Sequence, residues 1–158
     1  MQPYIAVCGP DPAGADVAAE AEAVGRLLAR RGAVLVCGGL GGVMEAAARG
    51  CRAEGGTSIG ILPGTTRGTA NPSLTYAFPT GMGEMRNALI VRAADAVIAV
   101  AGEFGTLSEI ALALKMGKPV VGIGTWELGK DGEPVDAIVR AADAKDAVSQ
   151  ALRLAGRL

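Results

Sequence analysis

The sequence predicts one doubly wound α/β domain over residues 1–158, built around a mostly parallel sheet. Short apolar runs of strand length alternate with longer stretches in which apolar residues recur at helical spacing, the pattern of βαβ units. The chain has 158 residues, about one domain's worth and enough to bury roughly 68% of its unfolded surface. Gly accounts for 24 of them, about twice the roughly 7% average, and many fall where the strands end.

The first strand is Tyr4 to Cys8. Val17, Ala21, Val24 and Leu28 then recur at i, i+4, i+7 and i+11, an amphipathic helix that Gly32 ends. Further strands fall at Val34 to Cys37, Ser58 to Leu62, 74–78, Ala96 to Val100 and Val120 to Ile123, with a weaker one at Ile138 to Arg140. Helical stretches lie at 43–54, 83–94, 106–116 and 144–154. Segments 64–73, carrying Arg67, and 124–134 read as exposed loops. There is no internal repeat or linker.

Composition removes several functions. Fifteen Lys and Arg stand against 16 Asp and Glu, a net charge of −1, and no basic block exists to track phosphates, so nucleic acid is not an expected partner. Apolar stretches such as Ala96 to Ala101 are far too short to span a membrane. Met1-Gln2-Pro3-Tyr4 enters a strand with no charged-then-apolar leader, which points to a cytoplasmic protein. Cys8, Cys37 and Cys51 form an odd set without C-x-x-C spacing and read as small buried hydrophobes. Histidine is absent, which removes Ser-His-Asp and Cys-His nucleophiles and most zinc chemistry, so no metal site is expected. Lys115, Lys118, Lys130 and Lys145 read as helix ends or loops, not as the buried Schiff-base lysine of a pyridoxal enzyme.

Gly9, Gly38, Gly39, Gly41, Gly42, Gly64, Gly81, Gly83, Gly102, Gly105, Gly122 and Gly124 all lie at or just past predicted strand C-termini. In an open parallel sheet the ligand crevice lies outside those ends, and Gly there lets backbone N–H groups approach an anion. Tight turns also require Gly for their own sake. Two multi-glycine turns open onto helices: Cys37-Gly38-Gly39-Leu40-Gly41-Gly42 and Ala101-Gly102-Glu103-Phe104-Gly105-Thr106. Neither is G-x-G-x-x-G, because Met44 stands where a third Gly is needed, and no G-K-[ST] follows. What remains is two helix N-termini suited to a phosphate or carboxylate.

Thr106-Leu107-Ser108-Glu109 matches an S/T-x-x-E capping box; alternatively Glu109 points its carboxylate at a sugar. Leu107, Ile110, Ala111 and Leu114 form the apolar stripe, which puts Glu109 opposite it and out of the core. Arg86 falls inside the stripe Met82, Met85, Leu89, Ile90 and Ala93. An inward Arg is paired with Glu84, Asp95 or Glu109, snorkels past the core edge, or aims its planar fork at a ligand phosphate. Glu84 reads as a solvated helix-start residue. Leu112 and Met116 make a second apolar strip, which predicts a homo-oligomer, a dimer or tetramer.

Gly38-Gly39-Leu40-Gly41-Gly42-Val43-Met44-Glu45, Gly55 to Pro63, Met85-Arg86-Asn87 and Gly102 to Glu109 together resemble the superfamily of the LONELY GUY (LOG) proteins and the molybdenum cofactor carrier proteins. The resemblance implies a Rossmann-like oligomer with a nucleotide-like ligand. Many such proteins bear a "possible lysine decarboxylase" label, which this sequence does not support chemically. LOG enzymes hydrolyse the N-glycosidic bond of cytokinin riboside 5′-monophosphates; their essential Arg and Glu fall on Arg86 and Glu109, and their phosphate turn on Gly105 and Thr106. Two features depart from LOG: Ala101 and Glu103 replace the Pro and second Gly of P-G-G-x-G-T, and Asn87 replaces the Lys of an Arg-Lys pair. Both remove positive potential and resemble the carrier branch. The expected function is binding of a phosphorylated nucleotide-like or molybdopterin-type ligand, with no cofactor required for chemistry. The alternative is a nucleoside 5′-monophosphate phosphoribohydrolase using Arg86 and Glu109. The expected ligand set is Gly9, Gly38, Gly39, Gly41, Gly42, Met82, Arg86, Gly102, Gly105, Thr106 and Glu109, with Met44, Met82 and segment 64–73 setting specificity.

Overall fold

The structure, a computed structural model, describes residues 1–156. Strands β1 (Tyr4–Cys8), β2 (Val34–Cys37), β3 (Ser58–Leu62), β4 (Tyr76–Pro79), β5 (Ala96–Val100), β6 (Val120–Ile123) and β9 (Ile138–Arg140) form a seven-stranded sheet in the order β4-β3-β2-β1-β5-β6-β9. Every pairing in it is parallel. The chain winds outward from β1 to β4 and then returns to β5 on the other side of β1, so the order reverses between β1 and β5.

The strand pleat sorts side chains onto two cores. Ile5, Val7, Leu35 and Ile98 face α1 (Ala15–Arg30), α2 (Val43–Ala53) and α5 (Ala144–Ala155). Ala6, Cys8, Val36, Val97 and Ala99 face α3 (Asn87–Ala93) and α4 (Phe104–Lys115). Burial on both faces makes β1, β2 and β5 continuous apolar runs rather than alternating ones. Helices α1 and α2 pack closely through Gly25 and Gly50. A Cβ on Gly25 would stand 1.9 Å from the Ala47 carbonyl oxygen, and one on Gly50 would stand 2.0 Å from that of Glu22.

Four expectations need correction. The strand expected at 74–78 begins two residues later and ends at Pro79, because Leu74 packs down against the core next to Gly60. The helix expected at 83–94 is split into a 3₁₀ turn (Gly83–Arg86) and α3. Segment 124–134 is not simply a loop: it enters an antiparallel hairpin of β7 (Leu128–Lys130) and β8 (Glu133–Val135). Asp131 and Gly132 turn it with φ of 53° and 80°, the Asp-Gly chemistry of a two-residue hairpin loop. Gly122 lies within β6 rather than past it. No described helix is long and apolar enough to cross a membrane.

Candidate functional site

At the point where the strand order reverses, the ends of β1 and β5 leave a crevice, the usual ligand position in open parallel sheets. Here it is a pocket of about 270 Å³. Gly9, Pro10 and Asp11 line it after β1, Gly38, Leu40 and Met44 after β2, and Glu84, Arg86 and Asn87 from the 3₁₀ turn and α3. Glu103, Gly105, Thr106 and Glu109 complete it from the start of α4. A larger open cavity of about 640 Å³ against the β7–β8 hairpin shares none of these residues.

Arg86 is only 6% exposed. Its Nε donates to the Ile61 carbonyl at 2.9 Å, its Nη2 to the Gly38 carbonyl at 3.4 Å, and its Nη1 to Asn87 Oδ1. Those three bonds leave two of the five N–H groups of a guanidinium without protein acceptors. Among the described residues no ion pair joins Arg86 to Glu84, Asp95 or Glu109; the Asp95 carboxylate accepts the Tyr4 N–H at 2.8 Å instead. The inward orientation follows the sequence reading, but the stripe does not: Met82, Met85 and Leu89 are exposed, and Arg86, Asn87, Ile90 and Val91 are the buried positions.

Asn87 links this guanidinium to α4. While its oxygen accepts from Arg86, its Nδ2 donates to Ser108 Oγ at 2.9 Å, and that hydroxyl donates to the Gly105 carbonyl at 2.7 Å. A lysine ammonium at this position has no atom that accepts a hydrogen bond from the Arg86 N–H. The Asn thus fixes the guanidinium relative to the N-terminus of α4.

Helix α4 starts two residues before the expected Thr106 and moves the cap. Glu103 is its N-cap, and the Glu103 N–H donates to Thr106 Oγ1 at 3.2 Å. The Thr106–Glu109 capping box is therefore not formed. The buried face runs through Thr106, Ile110 and Ala113, with Ala111 exposed, a face turned by about 80° from the expected stripe at ~100° per residue. Glu109 consequently sits at the edge of the buried face, half-buried on the pocket, rather than opposite it. Burial pushes its carboxyl up to about 8; the Arg86 charge pulls it down and Glu84 pushes it up. Burial also raises the thiols of Cys8 and Cys37, the C-terminal residues of β1 and β2. All three cysteines are buried and free.

The first glycine turn is already filled. Asp11 Oδ2 accepts the Gly41 N–H at 3.2 Å, and the Pro10 carbonyl accepts the Val43 N–H at 3.0 Å. At Gly42, with φ of 60°, a Cβ would stand 2.2 Å from the Pro10 oxygen. The β1–α1 loop therefore lies on the N-terminus of α2 and puts its own carboxylate where an anion was expected. The second turn carries Ala101 at φ of 52°, a conformation closed to the Pro of the LOG pattern. Gly102 is a packing residue: a Cβ would stand 2.8 Å from the ring of Trp126, whose Nε1 donates to the Glu103 carbonyl at 3.1 Å.

The structure thus gathers Gly9, Gly38, Arg86, Gly105, Thr106 and Glu109 around one pocket, while Gly39, Gly41, Gly42, Met82 and Gly102 do not line it. Pro10, Asp11 and Leu40 were not among the expected site residues. Asp11 had a usable signal, since Gly9-Pro10-Asp11 leaves the central strand at the switch point. Asn71 Nδ2 donates to the Leu40 carbonyl at 2.9 Å, so segment 64–73 braces the site from behind. Among the described residues no group of three His, Cys, Asp or Glu side chains is placed to hold a metal ion.

The model of the SLOG cluster4 family matches residues 2–151. The molybdenum cofactor binding protein of the phototrophic bacterium Rippkaea orientalis superposes with a TM-score of 0.87 at 31% identity, over 98% of each chain. The molybdenum cofactor carrier protein of Chlamydomonas reinhardtii also gives 0.87, at 30% identity over 99% of each chain. An uncharacterized protein of Archaeoglobus fulgidus is 48% identical over 100 residues, 63% of this chain. The match spans 66% of the length of that curated relative.

Proposed function

The chain belongs to the SLOG cluster4 family, and from that premise we propose that it binds the phosphorylated end of a pterin-type or nucleotide-like cofactor beside Arg86 and carries it without turnover. The observation that carries this reading is the buried guanidinium with two unspent N–H groups, tied through Asn87 and Ser108 to the N-terminus of α4. Arg86 and the first-turn amide at Gly105 would hold a phosphate, and Leu40 and Met44 offer apolar surface to a flat ring. A pterin phosphate fits this donor set. The two solved structures, one a molybdenum cofactor binding protein and the other a carrier of that cofactor, support the same ligand class. Calorimetric titration with neopterin monophosphate tests it. Arg86→Met should weaken binding roughly 10- to 100-fold; equal affinity in the variant, or no binding by the unmodified protein, refutes it.

One observation favours a hydrolase as the second reading. With its carboxyl near 8, Glu109 holds its proton at neutral pH and is able to donate it to a departing base. Chromatography of nucleoside 5′-monophosphates incubated with the protein and with Glu109→Gln decides between the two. Free base that disappears in the variant establishes an N-glycosidic hydrolase, whereas intact nucleotide leaves the carrier.

The homo-oligomer is part of the same proposal, with its surface moved. Leu112 and Met116 pack against the core, and the exposed apolar groups beside them on α3 and α4 include Met85 at 74%, Phe104 at 76% and Leu89 at 40%. Met85, Phe104, Ala111 and Leu112 line a cleft of about 660 Å³ that shares Glu84, Asn87 and Gly105 with the ligand pocket. A second copy covering this cleft buries the apolar patch and shields the mouth of the site.

A further inference from the structure

The second glycine turn is held by a residue that does not line the ligand pocket. Four consecutive residues of this turn meet the connection that leaves β6. Ala101 donates its N–H to the Ile123 carbonyl at 2.9 Å. Gly102 has no room for a side chain, because a Cβ there would stand 2.8 Å from Cδ1 and Nε1 of Trp126. The Glu103 carbonyl accepts the Trp126 Nε1–H at 3.1 Å, and the Phe104 ring lies against the indole with centroids 5.6 Å apart. Trp126 is itself anchored: it packs half-buried against the core that α3 and α4 cover, and Arg140 Nη2 donates to its carbonyl at 2.7 Å. Neither Trp126 nor Arg140 lines the ligand pocket, and Arg140 belongs to the cavity against the β7–β8 hairpin.

The indole bond to Glu103 is not one that α4 needs. An N-cap carbonyl accepts the first intrahelical bond, and here the Leu107 N–H supplies it at 3.0 Å. Ala101, at φ of 52°, holds a conformation that a residue with a side chain keeps only where its surroundings impose it. On the other side of the turn, Ser108 and Asn87 tie the Gly105 carbonyl to Arg86. The start of α4 is thus gripped at Glu103 from β6 and at Gly105 from α3. We infer that Trp126 is a positioning residue of the ligand site: it sets the N-terminus of α4, and with it the Gly105 N–H, against the Arg86 guanidinium. This rests on the reading that Arg86 and Gly105 hold the phosphate. Donors fixed in advance spare the ligand the cost of ordering them, and in this turn the indole, rather than the glycine pattern, does the fixing.

The test uses the full chain, with neopterin monophosphate and inorganic phosphate as probes. Trp126→Phe keeps a ring beside Phe104 but has no N–H for the Glu103 carbonyl. Its affinity for neopterin monophosphate, measured by calorimetry well below its melting temperature, should fall about 3- to 10-fold. Arg140→Met keeps the indole and frees the Trp126 carbonyl; it stands in if Trp126→Phe does not fold, with an expected loss of about 2- to 3-fold. The chain has one tryptophan, so its emission reports on this turn alone. Inorganic phosphate, which does not absorb in that region, should shift the emission at the concentrations that displace neopterin monophosphate, and should leave it unshifted in Arg86→Met. Unchanged affinity in Trp126→Phe, whatever its melting temperature, or in Arg140→Met where that variant stands in, assigns the indole to packing and overturns the proposal while leaving the phosphate site standing. An emission that stays constant while phosphate displaces the pterin overturns it as well. If Arg86→Met binds as tightly as the unmodified protein, if the unmodified protein binds nothing, or if phosphate does not displace the pterin, the phosphate reading fails, and this inference fails with it.

Discussion

The sharpest quantitative consequence of the site is a cost of ionising Glu109. Its carboxyl lies near 8 in the folded protein against an ordinary 4.5, chiefly because of burial, with Arg86 opposing and Glu84 reinforcing the shift. The folded state therefore holds one more proton than the unfolded chain between these values, and stability must fall as pH rises through that interval. Below about 4.5 the contribution is fully present, and by about 8 it is lost. At about 1.4 kcal/mol per pH unit the interval corresponds to about 5 kcal/mol, and water entering the open pocket brings the expected loss to about 3–5 kcal/mol. For a chain of this size that is a fall in Tm of roughly 6–20 °C. Few other shifted groups intrude: Glu22 and Glu54 are lowered by their Arg partners and titrate below the interval. The buried thiols, raised to about 12 for Cys37 and about 11 for Cys51, release their protons above it. Thermal melts between pH 5 and 8.5 should show the drop in the unmodified protein, and a difference curve against Glu109→Gln should isolate it. A flat difference curve refutes the reasoning.

Three further outcomes follow from the packing. Gly25→Ala and Gly50→Ala gain up to about 1 kcal/mol of helix propensity but force a methyl to within about 2 Å of a carbonyl; each should destabilise by about 2 kcal/mol or more in urea melts. Ala101→Pro, which installs the residue of the LOG turn, demands a φ that the backbone at 52° does not have and removes the N–H that donates to the Ile123 carbonyl at 2.9 Å. It should cost about 3 kcal/mol, read by denaturant titration. Phe104→Asp and Met85→Asp should shift the chain to a smaller species in light scattering without lowering its melting temperature as a monomer.

Most of the sheet was legible because burial on both faces turns its central strands into uninterrupted apolar runs, and β1, β2, β3, β5, β6 and β9 lie where those runs lie. The hairpin was missed because its strands have three residues each and no buried face but Leu128, although Asp131-Gly132 was a turn signal. In the site, Arg86 was legible as an inward charge in an apolar helix. Glu109 was misplaced for a different reason: the apolar residues Leu107, Ala111 and Leu114 do not make the buried face of α4, which runs through Thr106, Ile110 and Ala113. The place of Asp11 at the end of the central strand was legible, but its hold on the Gly41 N–H was not, because that contact joins residues 30 positions apart. The glycines at 39, 41 and 42 looked like a phosphate cradle because a turn that admits a ligand and a turn that admits another loop have the same composition.

The charges around the pocket bear on how a carried ligand is let go. Asp11, Glu84 and Glu103 line it with Arg86 as its one cation, so a phosphate held by that guanidinium is bound against a field that is otherwise negative. At neutral pH Glu109 adds nothing to this field while its proton stays on; as pH rises through about 8 it becomes a fourth carboxylate on the same walls. Linkage is reciprocal, so a bound phosphate must in turn hold that proton more tightly. Affinity for neopterin monophosphate should therefore fall between pH 7 and 9 by about tenfold for each unit that the bound anion adds to the carboxyl's value. Glu109→Gln should abolish the dependence while preserving the affinity seen at pH 7. A hydrolase needing Glu109 as its acid would lose turnover in the same variant, so titration and base-release assays on one protein separate a proton that governs release from a proton that is spent in a reaction. Unchanged affinity across that pH range would place the phosphate away from Glu109 and refute the arrangement.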